Sequence, residues 1–166
     1  ETLCELGFFL PIFGGHSMLR ACRRSLCSCP DADNVFLRIL RRQHAADIVE
    51  DGERLLPFHD HRPASDLHLL VIPKRFVRDA SQLRPADAPL VHEMHSTAHR
   101  LARRLAAEAF DEEQLSLGFH WPPALSVPWR HLHAIYPRAR RRWPWKWTPL
   151  GFVSPGRGLD RRPAQS

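Results

Sequence analysis

Residues 127–137 read Val127-Pro-Trp-Arg-His-Leu-His-Ala-Ile-Tyr-Pro137, an apolar run interrupted by two histidines. His131 and His133 are one residue apart. If the run is a β-strand, side chains alternate across the sheet, and both imidazoles project from one face about 7 Å apart. Imidazole changes charge near neutral pH and can attack phosphorus, accept a proton or bind a metal. The spacing therefore predicts a functional site on one face of this strand.

Two further residues extend this site beyond the strand. His68 opens the apolar run Leu67-His-Leu-Leu-Val-Ile-Pro73, which is typical of a buried strand, and Asp60 follows the preceding apolar run. An aspartate just past a strand end either caps a turn or accepts hydrogen bonds from a ribose diol. The residues alone leave both interpretations of Asp60 open.

The composition is that of one ordinary domain. The chain has 166 residues, of which 43% are hydrophobic, and a formal net charge of +6, so it is long enough to bury a core. No apolar run reaches the length of about 18 residues that spans a membrane, and we expect no membrane partner. The four cysteines all lie within residues 1–30, and their spacing matches no zinc motif. We therefore expect no metal and no cofactor.

The order of predicted elements indicates an α+β fold with a short N-terminal helix, one long helix and an antiparallel sheet of about five strands. Apolar periodicity predicts helices at 34–42 and 86–110, and strands at 47–49, 55–58, 67–72, 114–120 and 130–136. Residues 1–30 are expected to be a leader that is disordered or not native to the protein. Residues 31–150 are the predicted domain and residues 151–166 a C-terminal tail.

The long helix carries a histidine stripe opposite its predicted buried face. His92, His95 and His99 can in principle grip a transition metal, but a solvated polar face is the favoured interpretation. The buried face is predicted to comprise Leu90, Val91, Met94, Ala98, Leu101 and Leu105.

The segment after the histidine strand is basic and aromatic. Residues 138–142 include four arginines and precede Trp143, Trp145 and Trp147. Such a segment can bind single-stranded nucleic acid through phosphate contacts and stacking. Tryptophans at alternate positions equally suit a strand packed on a core or a dimer interface, and this interpretation is favoured over nucleic acid.

Five motifs occur along the chain in a fixed order, and together they resemble one family. They are Phe36 in a short helix, Asp47-Ile-Val-Glu-Asp51, Phe58-His-Asp60, His68-Leu-Leu-Val-Ile-Pro-Lys74 and Ser126-(x4)-His131-Leu-His133. Their order and spacing are similar to those of the histidine triad superfamily. The stretch Leu117-Gly-Phe-His-Trp-Pro-Pro123 resembles the Hint and aprataxin branch of that superfamily.

The resemblance implies a nucleotide-binding domain, typically a homodimer, that hydrolyses or transfers nucleoside monophosphates. By position, His131 would attack the α-phosphorus and form a nucleotidyl-imidazole, while His133 and His68 would hold the phosphate or assist the leaving group. The substrate would be a purine nucleotide, as an AMP conjugate. The nucleotide-binding residues would be Phe36 at the base, Asp60 at the ribose hydroxyls and Ser126 at the phosphate or leaving group.

The chain departs from the family pattern at two places. Trp129 replaces the first histidine of the triad, and Asn34 and Leu37 stand where relatives place a zinc-binding cysteine pair. The leading interpretation is a nucleoside phosphoramidase-type hydrolase. The alternatives are a nucleotide-binding or interaction module in which Trp129 has weakened catalysis, and an aprataxin-like enzyme that removes AMP from adenylated DNA. A cytoplasmic or nuclear location is expected, with mitochondrial targeting through the arginine-rich stretch after Met18 as the alternative.

Overall fold

The computed structural model describes residues 34–78, 83–106, 110–120, 127–143, 147 and 152–153. Within these ranges the chain forms α1 (Val35–Leu40), β1 (Leu55–His59), β2 (Leu67–Pro73), α2 (Ala88–Ala106), β3 (Ser116–His120), β4 (Leu132–Tyr136) and β5 (Phe152–Val153). The predicted leader, with all four cysteines, lies outside the described residues, as does most of the predicted tail. The domain boundaries therefore stay predictions.

The strands form an antiparallel sheet in the order β1-β2-β4-β3-β5, and this confirms the predicted α+β fold. β2, next to β4 inside the sheet, is buried along its whole length, as its continuous apolar sequence predicts. The register places His68 opposite Ile135 and Leu70 opposite His133. β5 pairs with β3 through Phe152 and Val153, two residues of the predicted tail.

The predicted strand at residues 47–49 is wrong. The segment makes a single bridge to β1, between Ile48 and Phe58. The amides of Val49 and Glu50 both donate to the carbonyl of Pro57, at 3.0 and 3.5 Å. Pro57 has no amide hydrogen with which to return a bond, so the ladder between the two segments cannot continue.

α2 covers one face of the sheet. Its buried residues pack against the side chains of β2 and β4 that point to this face, and they are Leu90, Val91, Met94, Ala98, Leu101 and Ala102. Leu105 was predicted to be buried, but it lies in the last turn, beyond Ala102, and is 41% exposed. α2 also begins two residues later than predicted, after a 3₁₀ turn at Pro85–Asp87. No helix in the described part of the chain combines the length and the hydropathy that crossing a bilayer requires.

The opposite face of the sheet carries α1. The Asn34 side chain caps this helix by accepting the amides of Phe36 and Leu37, at 3.0 and 3.4 Å. The cap directs Phe36 and Ile39 onto the sheet, where they form a second core cluster with residues of β1 and β2 and with Trp129. The histidine strand faces this same side.

Trp129 is a structural residue of this second core. Its side chain is 2% exposed, its indole N–H donates to the Pro73 carbonyl at 3.0 Å, and its ring packs edge to face on Phe76. We predict that Trp129→Ala lowers the free energy of unfolding by about 3–5 kcal/mol, because a large cavity opens and a buried hydrogen bond is lost. Urea unfolding measures the loss. Trp143→Ala is the control, since Trp143 is 40% exposed. If Trp143→Ala lowered the free energy of unfolding as much as Trp129→Ala, this would contradict a specific structural role of Trp129.

Candidate active site

Three buried histidines lie together on the sheet face that carries α1. Strand alternation places His131 and His133 on this face, and the β2–β4 pairing brings His68 beside them. The ring centroids of His131 and His133 are 4.8 Å apart, and those of His68 and His133 are 5.1 Å apart. All three side chains are buried. The structure thus brings together the three residues that were predicted to be catalytic.

Two of the three predicted nucleotide-binding residues lie beside these histidines. Phe36 packs edge to face on His131, with centroids 5.1 Å apart. Asp60 approaches His68, with 3.5 Å between Oδ2 and Nδ1, and its Oδ1 accepts the amide of Arg62 at 2.8 Å. Asp60 therefore caps a turn and also adjoins the histidines, and its contact with ribose hydroxyls stays a prediction. Ser126 lies outside the described residues.

A cavity of about 760 Å³ opens between α1 and the sheet. Its apolar lining comes from Val35, Phe36, Ile39, Phe58, Leu70 and Val127. Its polar lining includes Asp60, His131 and His133, together with the exposed His61. Flat apolar groups bind well in such a lining, while a few polar groups fix their orientation. The cavity can therefore hold an aromatic base, with a sugar near Asp60 and a phosphate near the histidines.

A backbone amide determines the direction of the hydrogen bonds through His68 and His133. The Ala64 amide donates to His68 Nδ1 at 3.1 Å, so neutral His68 carries its proton on Nε2. That N–H donates to His133 Nδ1, which lies 2.8 Å away. His133 must then carry its own proton on Nε2, a buried atom with no hydrogen-bond partner among the described residues. The hydrogen bonds from Ala64 to His68 and from His68 to His133 form a relay. It ends in the Nε2–H of His133, a donor with no partner among the described residues.

The opposite tautomer is selected at His131. Its Nδ1 lies 2.6 Å from the carbonyl oxygen of Trp129. A carbonyl can only accept, so Nδ1 carries the proton and Nε2 keeps its lone pair. The indole of Trp129 points elsewhere and donates to Pro73. The backbone of residue 129 therefore orients His131, and the side chain that departs from the triad pattern does not displace this hydrogen bond.

All three histidines are neutral at pH 7. Burial lowers the pKa of His131 and of His68 to about 4, and it holds the pKa of His133 well below its usual range. Charge on the neighbouring His120 acts in the same direction on each of them. A neutral imidazole with a free lone pair is a nucleophile, and a neutral imidazole N–H is a hydrogen-bond donor.

These low pKa values predict a loss of stability in mild acid. Between pH 6.5 and about 4 the unfolded chain binds protons at His68 and His131 that the folded chain does not bind, so stability falls as the pH falls. From pH 7 to pH 5 we expect a loss of about 2 kcal/mol for each of the two histidines. Urea unfolding at both pH values measures the effect. His131→Asn should remove its share, and an unchanged pH dependence in that variant would contradict the assignment.

One group of possible metal ligands coincides with the relay. Among the described residues, Asp60, His68 and His133 each offer one atom within 4.8 Å of the other two. The Ala64 amide occupies His68 Nδ1, and the bond between the two rings occupies His68 Nε2 and His133 Nδ1. A metal would have to break these hydrogen bonds, so the relay is the better description of the cluster.

The histidine stripe of α2 lies away from this cluster. Within the stripe, His99 pairs with Glu112, with 2.5 Å between His99 Nε2 and Glu112 Oε1.

Two aromatic residues of the site were not predicted from the sequence. His120, at the end of β3, packs against His133 with ring centroids 4.7 Å apart, and Trp147 packs against His68, His120 and His133. Strand register could have found His120, because Gly118 lies opposite His133 and residue 120 shares the face of residue 118. No local signal distinguishes Trp147 from the neighbouring tryptophans.

The basic segment has partners within the protein. Arg140 pairs with Asp66 at 2.7 Å, and Arg141 donates to the Ser116 hydroxyl at 3.1 Å. Trp145 lies outside the described residues. These contacts attach the segment to the β1–β2 loop and to β3, and the ion pair with Asp66 offsets the charge of Arg140.

Comparison with known proteins gives consistent matches. The family model described as "Scavenger mRNA decapping enzyme C-term binding" matches residues 33–146. Adenosine 5'-monophosphoramidase HINT3 of Xenopus tropicalis is 30% identical over 125 residues, which are 75% of this chain and 74% of the relative. The bifunctional adenosine 5'-phosphosulfate phosphorylase/adenylylsulfatase HINT4 of Arabidopsis thaliana is 32% identical over 103 residues, 61% of this chain and 68% of the relative.

Solved structures agree with the sequence relatives. A HIT family hydrolase from Legionella pneumophila Philadelphia 1 superposes with a TM-score of 0.56 at 26% identity, over 64% of this chain and 99% of that chain. The family model spans more than half of the chain, and the Xenopus relative is covered over more than two thirds of its length. The range that the family model matches, residues 33–146, includes the three histidines of the buried site. The chain belongs to the histidine triad superfamily.

Proposed function

We propose that this protein is a nucleotide hydrolase that cleaves adenosine 5'-monophosphoramidate-type substrates through a nucleotidyl-histidine intermediate on His131. The observation that carries the proposal is the tautomer of His131, whose Nδ1–H is held by the Trp129 carbonyl so that Nε2 keeps its lone pair. The names of the HINT3 and HINT4 relatives support hydrolysis of adenosine 5'-phosphate derivatives.

In the first step Nε2 of His131 attacks the phosphorus. A bond forms between Nε2 and phosphorus, the phosphorus–nitrogen bond of the substrate breaks, and the amine leaves with a proton taken from solvent water. Because Nδ1 is already protonated, the nucleotidylated ring carries a positive charge, which the Trp129 carbonyl stabilises. The Nε2–H of His133 is placed to donate to a phosphate oxygen, the charge on which changes as the bond forms.

In the second step water attacks the nucleotidyl-histidine. The water oxygen bonds to phosphorus and gives up one proton to solvent, the phosphorus–Nε2 bond breaks, its electron pair returns to His131, and AMP is released. The cationic imidazole is a good leaving group for this step, since it departs as the neutral ring that burial favours. The Nε2–H of His133 donates to a phosphate oxygen in both steps, because the reacting phosphorus atom lies at the same place in each.

Contacts with the lining of the cavity supply the free energy that binds the nucleotide. We assign the base to the apolar lining around Phe36 and the ribose hydroxyls to Asp60. The role of Ser126 at the phosphate or leaving group stays a proposal from the resemblance. Homodimerisation and a cytoplasmic or nuclear location likewise stay proposals.

Turnover of a fluorogenic adenosine phosphoramidate by the purified chain tests the proposal. We expect release of the amine together with an acid-labile nucleotidyl adduct that appears in the first turnover. Binding of AMP without turnover and without an adduct would overturn the proposal in favour of a nucleotide-binding module. The DNA-adenylate alternative depended on the arginines of 138–142, two of which have partners within the protein, and no observation favours it.

A further inference from the structure

Trp147 lies against the relay although it comes from the C-terminal part of the chain. Its ring meets those of His68 and His133 edge to face, with centroids 5.6 and 5.2 Å apart. It lies against His120 at 5.0 Å and meets Phe152 edge to face at 5.1 Å. The indole is 8% exposed. The indole thus packs on the His68 and His133 rings of the relay, but Trp147 is not one of the residues that line the nucleotide cavity.

A chain of hydrogen bonds joins Trp147 to the amide that sets the tautomers. The indole N–H donates to the Arg142 carbonyl at 3.1 Å. The amide of Arg142 donates to the Ala64 carbonyl at 2.6 Å, and the Ala64 amide donates to His68 Nδ1 at 3.1 Å. The orientation of Ala64, whose amide selects the Nε2–H tautomer of His68, is therefore tied to the position of the indole.

Space for this arrangement depends on Gly118. A Cβ atom at position 118 would lie 2.5 Å from the ring of Phe152, so glycine allows that ring to approach β3 closely. Phe152 in turn packs on Trp147 and, with centroids 6.1 Å apart, on His133. The indole is thus held from two sides, by Phe152 and by the Arg142 carbonyl.

We infer that Trp147 is a positioning residue for the proposed hydrolysis: it holds His68 and His133 in the tautomers that leave an N–H on His133 Nε2. The inference rests on the proposed function for its kinetic consequence only. If the indole is removed, His68 can rotate away from the Ala64 amide, and both tautomers of His68 become available. His133 then no longer presents a proton on Nε2 in every molecule.

The kinetic test compares Trp147→Ala, Trp147→Leu and Trp147→Phe with Trp143→Ala as the matched control. We expect kcat to fall about 10- to 100-fold in Trp147→Ala, which is the usual effect of losing an outer partner of an active-site histidine. KM should change less than about 3-fold, because Trp147 does not line the nucleotide cavity. Trp147→Phe should recover part of the loss by restoring an aromatic ring, and Trp143→Ala should match the wild type.

Imidazole ¹⁵N spectra supply a readout that does not depend on activity. In the wild type we expect Nε2–H tautomers at His68 and His133 and the Nδ1–H tautomer at His131. Trp147→Ala should mix the tautomers of the first two and leave His131 unchanged. Trp147→Leu keeps an apolar side chain in the space and decides the question if the alanine variant does not fold. If a folded Trp147 variant keeps the wild-type tautomers and the wild-type kcat, the inference is overturned. If the wild type itself is inactive, the proposed function is overturned, and the spectra alone decide the inference about Trp147.

Discussion

Replacing His131 by alanine should lower kcat for adenosine phosphoramidate hydrolysis by about 10⁴-fold or more, the usual scale for loss of a nucleophile. His131 is the one histidine of the three whose Nε2 has a lone pair, because the Trp129 carbonyl holds the proton on Nδ1. The rings of His68 and His133 both use Nδ1 as an acceptor and carry the proton on Nε2. Neither can substitute for His131 as the attacking group without breaking the relay.

Rapid-quench experiments with phosphorus-labelled substrate measure this prediction most directly. The wild type should form an acid-labile adduct, and His131→Ala should form none while still binding AMP. His92→Ala is the matched control, since His92 is an exposed histidine of α2 outside the site. An adduct of wild-type amount in His131→Ala would exclude His131 as the nucleophile and direct attention to another side chain.

Replacing His133 by alanine should lower kcat by about 10²- to 10³-fold, the usual effect of losing one hydrogen-bond donor to a transition-state oxygen. His133 lines the nucleotide cavity, and its Nε2 has no partner among the described residues, so we expect its N–H to donate to a phosphate oxygen. The adduct on His131 should still form, but more slowly. KM should change less than kcat, because the base and ribose contacts remain.

The relay adds a second test of the same residue. His68 acts on the phosphate through His133, since its Nε2–H is used by His133 Nδ1. His68→Ala combined with His133→Ala should therefore be no slower than His133→Ala alone, as expected when two residues act as a unit. Fully additive losses would show that His68 contacts the substrate by itself and would contradict the relay.

The sequence was sufficient to predict the strands that bury one face or both faces. Alternation along residues 130–136 placed His131 and His133 on one face, and the continuous apolar run after Leu67 identified a strand inside the sheet. These predictions succeeded because side-chain direction in a strand follows from position alone. The strand predicted at 47–49 failed because its pairing depended on Pro57, a property of the neighbouring segment rather than of its own residues.

The residue types of the site were also available from the sequence, through its motifs. Three histidines, Phe36 and Asp60 were expected near one another. In the structure Phe36, Asp60, His131 and His133 line one cavity, and His68 lies behind them in contact with Asp60 and His133. Trp129 was the departure that put catalysis in doubt. Neither its structural role nor its carbonyl contact to His131 was predictable, because the first depends on where the chain directs the indole and the second on the backbone conformation at residue 129.

Only the tertiary structure decided the protonation of the histidines. A histidine in a sequence has two nitrogens of similar basicity, and the choice between them is made by the group that each nitrogen meets. Those groups are the Ala64 amide for His68, the Trp129 carbonyl for His131 and the His68 ring for His133. The sequence by itself therefore determined which side chains share a face, since that follows from backbone geometry. Folding determined which of them can attack and which can donate, since that follows from the group that each ring nitrogen meets: a nearby backbone group for His131 and His68, and for His133 the ring of His68, 65 residues away in the chain.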